Sequence, residues 1–148
     1  MFDPESFMQE TAGEMSTEYP LVPEGEWLGL SGKPAARQAP DKNDPNKKWT
    51  FLDLPWTFDD PIILKEMNRD GGTVQARFSC ILELTPEGKL DTSEGKNVKL
   101  GQLRAALGLN QDGFRLADLE GHTATCQVKH ETGKDDVIRS NVVAVTTS

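Results

Sequence analysis

Along most of this chain apolar and polar residues alternate with a period of two, the pattern of strands with one dry face and one wet face. The longest run is Thr73 to Leu84, where Val74, Ala76, Phe78, Cys80, Leu82 and Leu84 alternate with Gln75, Arg77, Ser79, Ile81 and Glu83. A second run, His122 to His130, sets Ala124, Cys126 and Val128 against Thr123, Thr125, Gln127 and Lys129. Trp49 to Leu54 places Trp49 and Phe51 on one side and Thr50, Leu52 and Leu54 on the other. A strand carrying Trp27, Leu28 and Leu30 opens at Glu24 and breaks at Gly32 to Pro34, and Val137 to Thr146 is the closing strand. Pro55 argues against a central place in a sheet for the far end of the 49–54 strand, and Pro61 closes the next piece, Trp56 to Asp60.

One segment has a helical period instead. Leu100, Leu103 and Leu107 fall at i, i+3 and i+7, with Asn97 placed to cap the start and Gly108 to end it. Ile62 to Met67 fits either one more strand or a helical turn. Asp70-Gly71-Gly72 and Thr85 to Gly88 read as turns, Ala39 to Lys48 as a proline-bearing loop, and Glu131 to Asp136 as a hairpin loop. Leu109 to Gly121 is a long connection with Phe114, Leu116 and Leu119 tucked against the sheet. The order β-β-β-α-β-β predicts a mainly β fold: a five-stranded OB-like Greek-key barrel with one short helix between strands three and four. Residues 26–148 form that barrel in this reading, and residues 1–25 form an extended arm.

Charge divides the chain the same way. Of 148 residues, the first 26 hold seven acids (Asp3, Glu5, Glu10, Glu14, Glu18, Glu24, Glu26) and no Lys or Arg. With 24 acids and 16 bases in all, the remaining 122 residues hold 17 and 16, so the net charge of −8 belongs almost wholly to the arm. The arm reads either as a solvated tail or as an interaction tail, its Phe2, Phe7, Met8 and Met15 being anchors for a protein partner. A chain of this length buries a core without staples. With no signal peptide and no apolar run near ~20 residues, it reads as a soluble intracellular protein whose Cys80 and Cys126 are reduced and buried.

If Leu52 and Leu54 face the core, Trp49 and Phe51 face outward beside Gln75 and Arg77 of the neighbouring strand. Flat aromatic faces beside cations make a stacking platform for unpaired bases, and Lys47, Lys48, Lys129 and Arg139 are placed to follow the phosphates. The alternative is that the arm or the 109–119 connection covers both rings. No metal site is predicted: Cys126 and His130 share a strand face, but four residues at ~3.3 Å rise put them about 13 Å apart. Asp59-Asp60, Asp135-Asp136 and Glu87-Gly88-Lys89 faintly echo nuclease patterns, yet all lie at turns or loops and read as solvated acids. With no nucleotide-binding loop or nucleophile elbow either, neither an enzyme nor a cofactor is expected.

Gly88-Lys-Leu-Asp91, the run Gly95 to Asn110, Leu119-Glu-Gly121 and Val128-Lys-His130 resemble a family of small tailed-bacteriophage proteins, some of which are similar to OB-fold single-stranded DNA-binding proteins. The matching residues are turn glycines, a helix face and a cap, so no contact residue is carried across. The resemblance implies a non-enzymatic, sequence-tolerant binder of single-stranded DNA, acting in phage replication or recombination in the cytoplasm of the infected host. A virion or adaptor protein that uses the barrel and the acidic arm for protein contacts is the alternative.

Overall fold

The computed structural model describes residues 1–16, 20–69 and 71–148. Glu18 of the arm and Asp70 of the expected 70–72 turn lie outside the described residues. The fold is mainly β. Six strands, β1 (Gly25–Ser31), β2 (Ala35–Pro40), β3 (Lys48–Phe58), β4 (Val74–Leu82), β5 (Thr123–Thr132) and β6 (Ile138–Thr146), form one sheet in the order β1-β5-β6-β4-β3-β2. A further pairing joins β1 to β3, and β4–β6 is parallel where the other pairings are antiparallel.

The strand count is six rather than five because the first strand is interrupted. Gly32-Lys33-Pro34 separates β1 from β2, and both halves pair with β3, at Leu30↔Thr57 and Ser31↔Trp56 for β1 and from Ala35↔Asp53 to Pro40↔Lys48 for β2. The same break explains Pro55, which stands inside β3 instead of ending it. Its carbonyl accepts from Gly32 N at 2.8 Å, so its nitrogen faces the interruption, where no ladder partner needs an N–H. Pro61 likewise begins an element. It is the first residue of α2 (Pro61–Glu66), with the Asp60 side chain accepting from Ile62 N at 2.9 Å, which settles Ile62 to Met67 as helical.

The inward faces follow the alternation. Leu52, Leu54, Trp56 and Phe58 of β3, Val74 to Leu82 on alternate positions of β4, Ala124, Cys126 and Val128 of β5, and Val142 of β6 are buried, whereas Leu84 is exposed beyond the end of β4. Ile63 and Leu64 of α2, Leu100 and Leu103 of α3 (Val98–Ala106), Leu119 of a 3-10 turn (Leu116–Leu119) and Val22 complete the core, with Leu107, Phe114 and Leu116 among the residues packed against it.

Gly108 ends α3 as expected: at φ +72° it takes a left-handed conformation, and Leu109 N bonds back to Arg104 O at 2.7 Å. Asn97 does not cap it. Itself left-handed at φ 51°, it points its side chain at the end of β4, accepting from Glu83 N (2.8 Å) and donating to Glu83 O (2.8 Å) and Asp91 O (2.9 Å). Its amide group thus fastens the helix to the sheet.

The arm is not extended throughout: the Asp3 side chain caps a short helix, α1 (Pro4–Met8), and Phe2 packs on Phe7 with ring centres 5.3 Å apart, both rings exposed. Val22 is buried, its N–H donating to Ser140 Oγ (3.3 Å) and its carbonyl bonded to His130 Nε2 (2.7 Å).

Candidate nucleic-acid interface

Strand register places one set of side chains on a common outer face. Because Phe51 pairs with Arg37 and Ile81, Asp53 with Ser79, Pro55 with Arg77, and Arg77 with Asn141, the odd positions of β2, β3 and β4, and Asn141 of β6, point away from the core. Lys129, opposite Asn141, and Arg139, opposite Glu131, continue that face. The β4–β6 ladder is one registered pair, Arg77↔Asn141. Lys99 of α3 reaches the seam, donating to Ser79 O at 3.0 Å with its Nζ 5.0 Å from the Phe78 ring centre. An open cleft of about 740 Å³ lies here, lined among others by Arg37, Trp49, Phe51, Arg77, Lys99 and Glu131.

Trp49 and Phe51 are half-buried and line this open cleft, whose lining includes no described residue of the arm or of the 109–119 connection. Cations stand over both rings. Lys47 Nζ stands 4.2 Å from the Trp49 ring centre and Arg37 Cζ 4.4 Å from that of Phe51. Trp49 Nε1 donates to Asp41 Oδ2 at 3.0 Å, which fixes the ring edge. Arg37 is held in turn by Asp53, whose Oδ2 accepts from Arg37 Nε at 2.7 Å and whose Oδ1 accepts from Ser79 Oγ at 2.6 Å, with Arg77 Nε 3.8 Å away. Burial alone pushes the Asp53 carboxyl up, but the Ser79 and Arg37 hydrogen bonds and the two guanidinium charges outweigh it and hold the group below the ordinary aspartate range.

Of the eight residues singled out from sequence, Trp49, Phe51 and Arg77 line the cleft and Lys47 stacks on Trp49. Lys48 is one residue out of phase with Trp49, on the side of β3 that carries Thr50 and Leu52. Gln75 sits beside Thr57, to which its Nε2 donates at 3.3 Å, six positions along β3 from Phe51 and so roughly 20 Å away. Lys129 is exposed on the shared face, outside the cleft lining. Arg139 turns back to the hairpin, bonding Asp135 at 2.8 and 3.2 Å, and these bonds hold the Asp135 carboxyl down at about 2. The residues that sequence reasoning missed are Arg37 and Asp53. Ala35 to Pro40 has no apolar alternation, and only its pairing with β3 brings Arg37 over Phe51.

Among the described residues no group of three or more His, Cys, Asp or Glu is arranged to hold a metal ion. Both cysteines are free and buried, and burial pushes the Cys126 thiol up to about 12. No helix among the described residues is long and apolar enough to cross a membrane. Comparison with known proteins finds no matching family model, no matching curated protein and no matching solved structure.

Proposed function

We propose that this chain binds single-stranded DNA without sequence preference and without catalysis, as a phage replication or recombination protein built on an OB-type barrel. The pairings favour that architecture. They run β1–β5–β6–β4–β3 and return to β1, with β4–β6 parallel and α3 between β4 and β5, so that β1 and β2 act as two halves of one first strand. In such barrels the second and third strands carry the ligand face, and here those are β3 and β4.

The observation that carries the reading is the pair Trp49 and Phe51, side by side on the outer face of β3 in an open cleft, each ring capped by a cation. A base that stacks on Trp49 displaces Lys47 from the π-face, and the displaced ammonium meets the phosphate that arrives with the base. A net charge of −8 does not oppose this, since the acids concentrate in the first 26 residues and local potential governs encounter. Titration with oligo-dT is the test. Quenching of Trp emission that Trp49→Ala abolishes supports the proposal; no quenching and no gel shift at low salt overturns it.

A second reading, a virion or adaptor protein, is favoured by the arm, where Met1, Phe2, Phe7, Met8 and Met15 are all exposed among acids. Co-sedimentation with capsids that is lost on removing residues 1–25 supports that reading, and unchanged sedimentation counts against it.

A further inference from the structure

Resting on the single-strand reading above, we propose that Arg37, Asp53 and Arg77 form a phosphodiester clamp, in which one carboxylate aligns two guanidinium forks to take neighbouring phosphates of a single strand. The residues come from three adjacent strands, β2, β3 and β4, and meet on the outer face. Both arginines address Asp53 through Nε, at 2.7 Å for Arg37 and 3.8 Å for Arg77. Among the described residues, their Nη groups donate to no protein acceptor, so the bidentate edge of each fork is open to the cleft.

Exposure divides the roles. The Asp53 side chain is 13% exposed, against 45% for Arg37 and 53% for Arg77, so the carboxylate lies beneath the two cations. Its remaining oxygen is occupied by Ser79 Oγ at 2.6 Å, which fixes the carboxylate plane and with it the direction of the Arg37 fork. Arg37, hydrogen-bonded to the carboxylate, and Arg77, paired with it at 3.8 Å, share one patch of the cleft, an arrangement that suits consecutive phosphates of one chain. Asp53 is therefore a positioning residue, and it gives the cleft a preference for an oligonucleotide over a free nucleotide or inorganic phosphate.

Charge alone makes the opposite prediction, because removing a carboxylate from a polyanion-binding face favours the polyanion. Asp53→Asn thus separates the two accounts by sign. The experiment titrates the full chain into an end-labelled oligo-dT, read by anisotropy over a series of salt concentrations, with inorganic phosphate as competitor. The clamp predicts that Asp53→Asn weakens binding about tenfold and makes the slope of log affinity against log salt shallower by about 1.4, two phosphates at ~0.7 each. Arg37→Lys and Arg77→Lys, which keep the charge and lose the fork, weaken binding several-fold with little change in slope.

Asp53→Asn binding as tightly as the parent, or more tightly, overturns the clamp and leaves the single-strand reading standing. Displacement of the oligonucleotide by millimolar phosphate overturns the clamp as well. If Asp53→Asn does not fold, as judged by circular dichroism, the two Lys variants decide, and full affinity in both overturns the clamp. No oligonucleotide binding by the parent chain overturns the clamp together with the reading beneath it.

Discussion

Lys47 and Trp49 are stacked, with the ammonium 4.2 Å from the ring centre, and the loop between β2 and β3 is folded to keep them so. Asp41 N donates to Lys47 O at 2.9 Å to close that loop, while the Asp41 carboxylate accepts from Trp49 Nε1 at 3.0 Å. The ring is thus held at its edge and covered on its face by groups that a ligand can replace. Lys47→Ala is expected to leave the fold intact, to weaken oligo-dT binding less than Trp49→Ala does, and to make the salt slope shallower by about 0.7. Trp49→Ala itself removes a stacking partner worth ~1–3 kcal/mol per base. Salt-series titrations of both variants check this, and an unchanged slope for Lys47→Ala rules out phosphate contact by Lys47.

How much of this site the sequence makes legible follows from whether the cause is local. The pleat is local: Leu52 and Leu54 are too apolar to face water, so Trp49 and Phe51 must face it, and the structure places all four accordingly. The Leu100–Leu103 face of α3 and the Gly108 terminus are local in the same sense. Arg37 is not, because its position over Phe51 comes from a strand pairing between residues whose neighbours carry no periodic signal. Pro55 misleads for a related reason. A proline breaks a ladder only where a partner needs its N–H, and the Gly32–Pro34 interruption on the neighbouring strand removes that need. Asn97 has the residue type of a cap, but three hydrogen bonds to Glu83 and Asp91 offer its amide a better set of partners than the helix terminus does.

Ser31 ties the 3-10 turn to β1 from a fully enclosed position. It is 2% exposed, its Oγ donates to Leu119 O at 2.6 Å and accepts from His122 N at 2.9 Å, and its own N–H donates to His122 O at 2.8 Å. Ser31→Ala removes the hydroxyl and leaves an enclosed carbonyl and an N–H without that partner. The expected cost is about 1–3 kcal/mol of stability, measurable by urea denaturation with an unchanged m-value. Because Ser31 lies away from the cleft, oligonucleotide affinity of the folded variant is expected to match the parent.

Gly29 stands where β1 crosses closest to the core. A Cβ there would meet Phe58 Cε1 at 2.9 Å and Cys126 Sγ at 3.2 Å, both belonging to side chains that are fully buried. Neither side chain has solvent to retreat into, so the added methyl must displace packed atoms. Gly29→Ala is expected to destabilise the protein by about 1–3 kcal/mol despite reducing the entropy of the unfolded chain. Thermal unfolding of Gly29→Ala checks the sign, and a raised melting temperature contradicts the close packing described for Phe58.

Acid is expected to act on the same carboxylate that organises the cleft. Folding holds the Asp53 carboxyl below the ordinary aspartate value of 3.8, because the Ser79 and Arg37 hydrogen bonds and the charges of Arg77 and Arg37 overcome the upward push of burial. A group whose folded pKa is depressed adds stability that is fully present above its unfolded value and disappears as pH falls through the folded value. The Asp53 contribution is therefore expected to be complete and independent of pH near neutrality and to be lost below about pH 3.8, with a shallower acid limb in Asp53→Asn than in the parent. The ligand follows the same group. Protonated Asp53 no longer anchors Arg37 by charge, so the affinity of the parent for oligo-dT is expected to converge on that of Asp53→Asn as pH falls through that window. Denaturation and anisotropy titrations of the two proteins across the acid range measure both limbs. Parallel acid limbs in parent and variant contradict the assignment of the depressed carboxyl to Asp53.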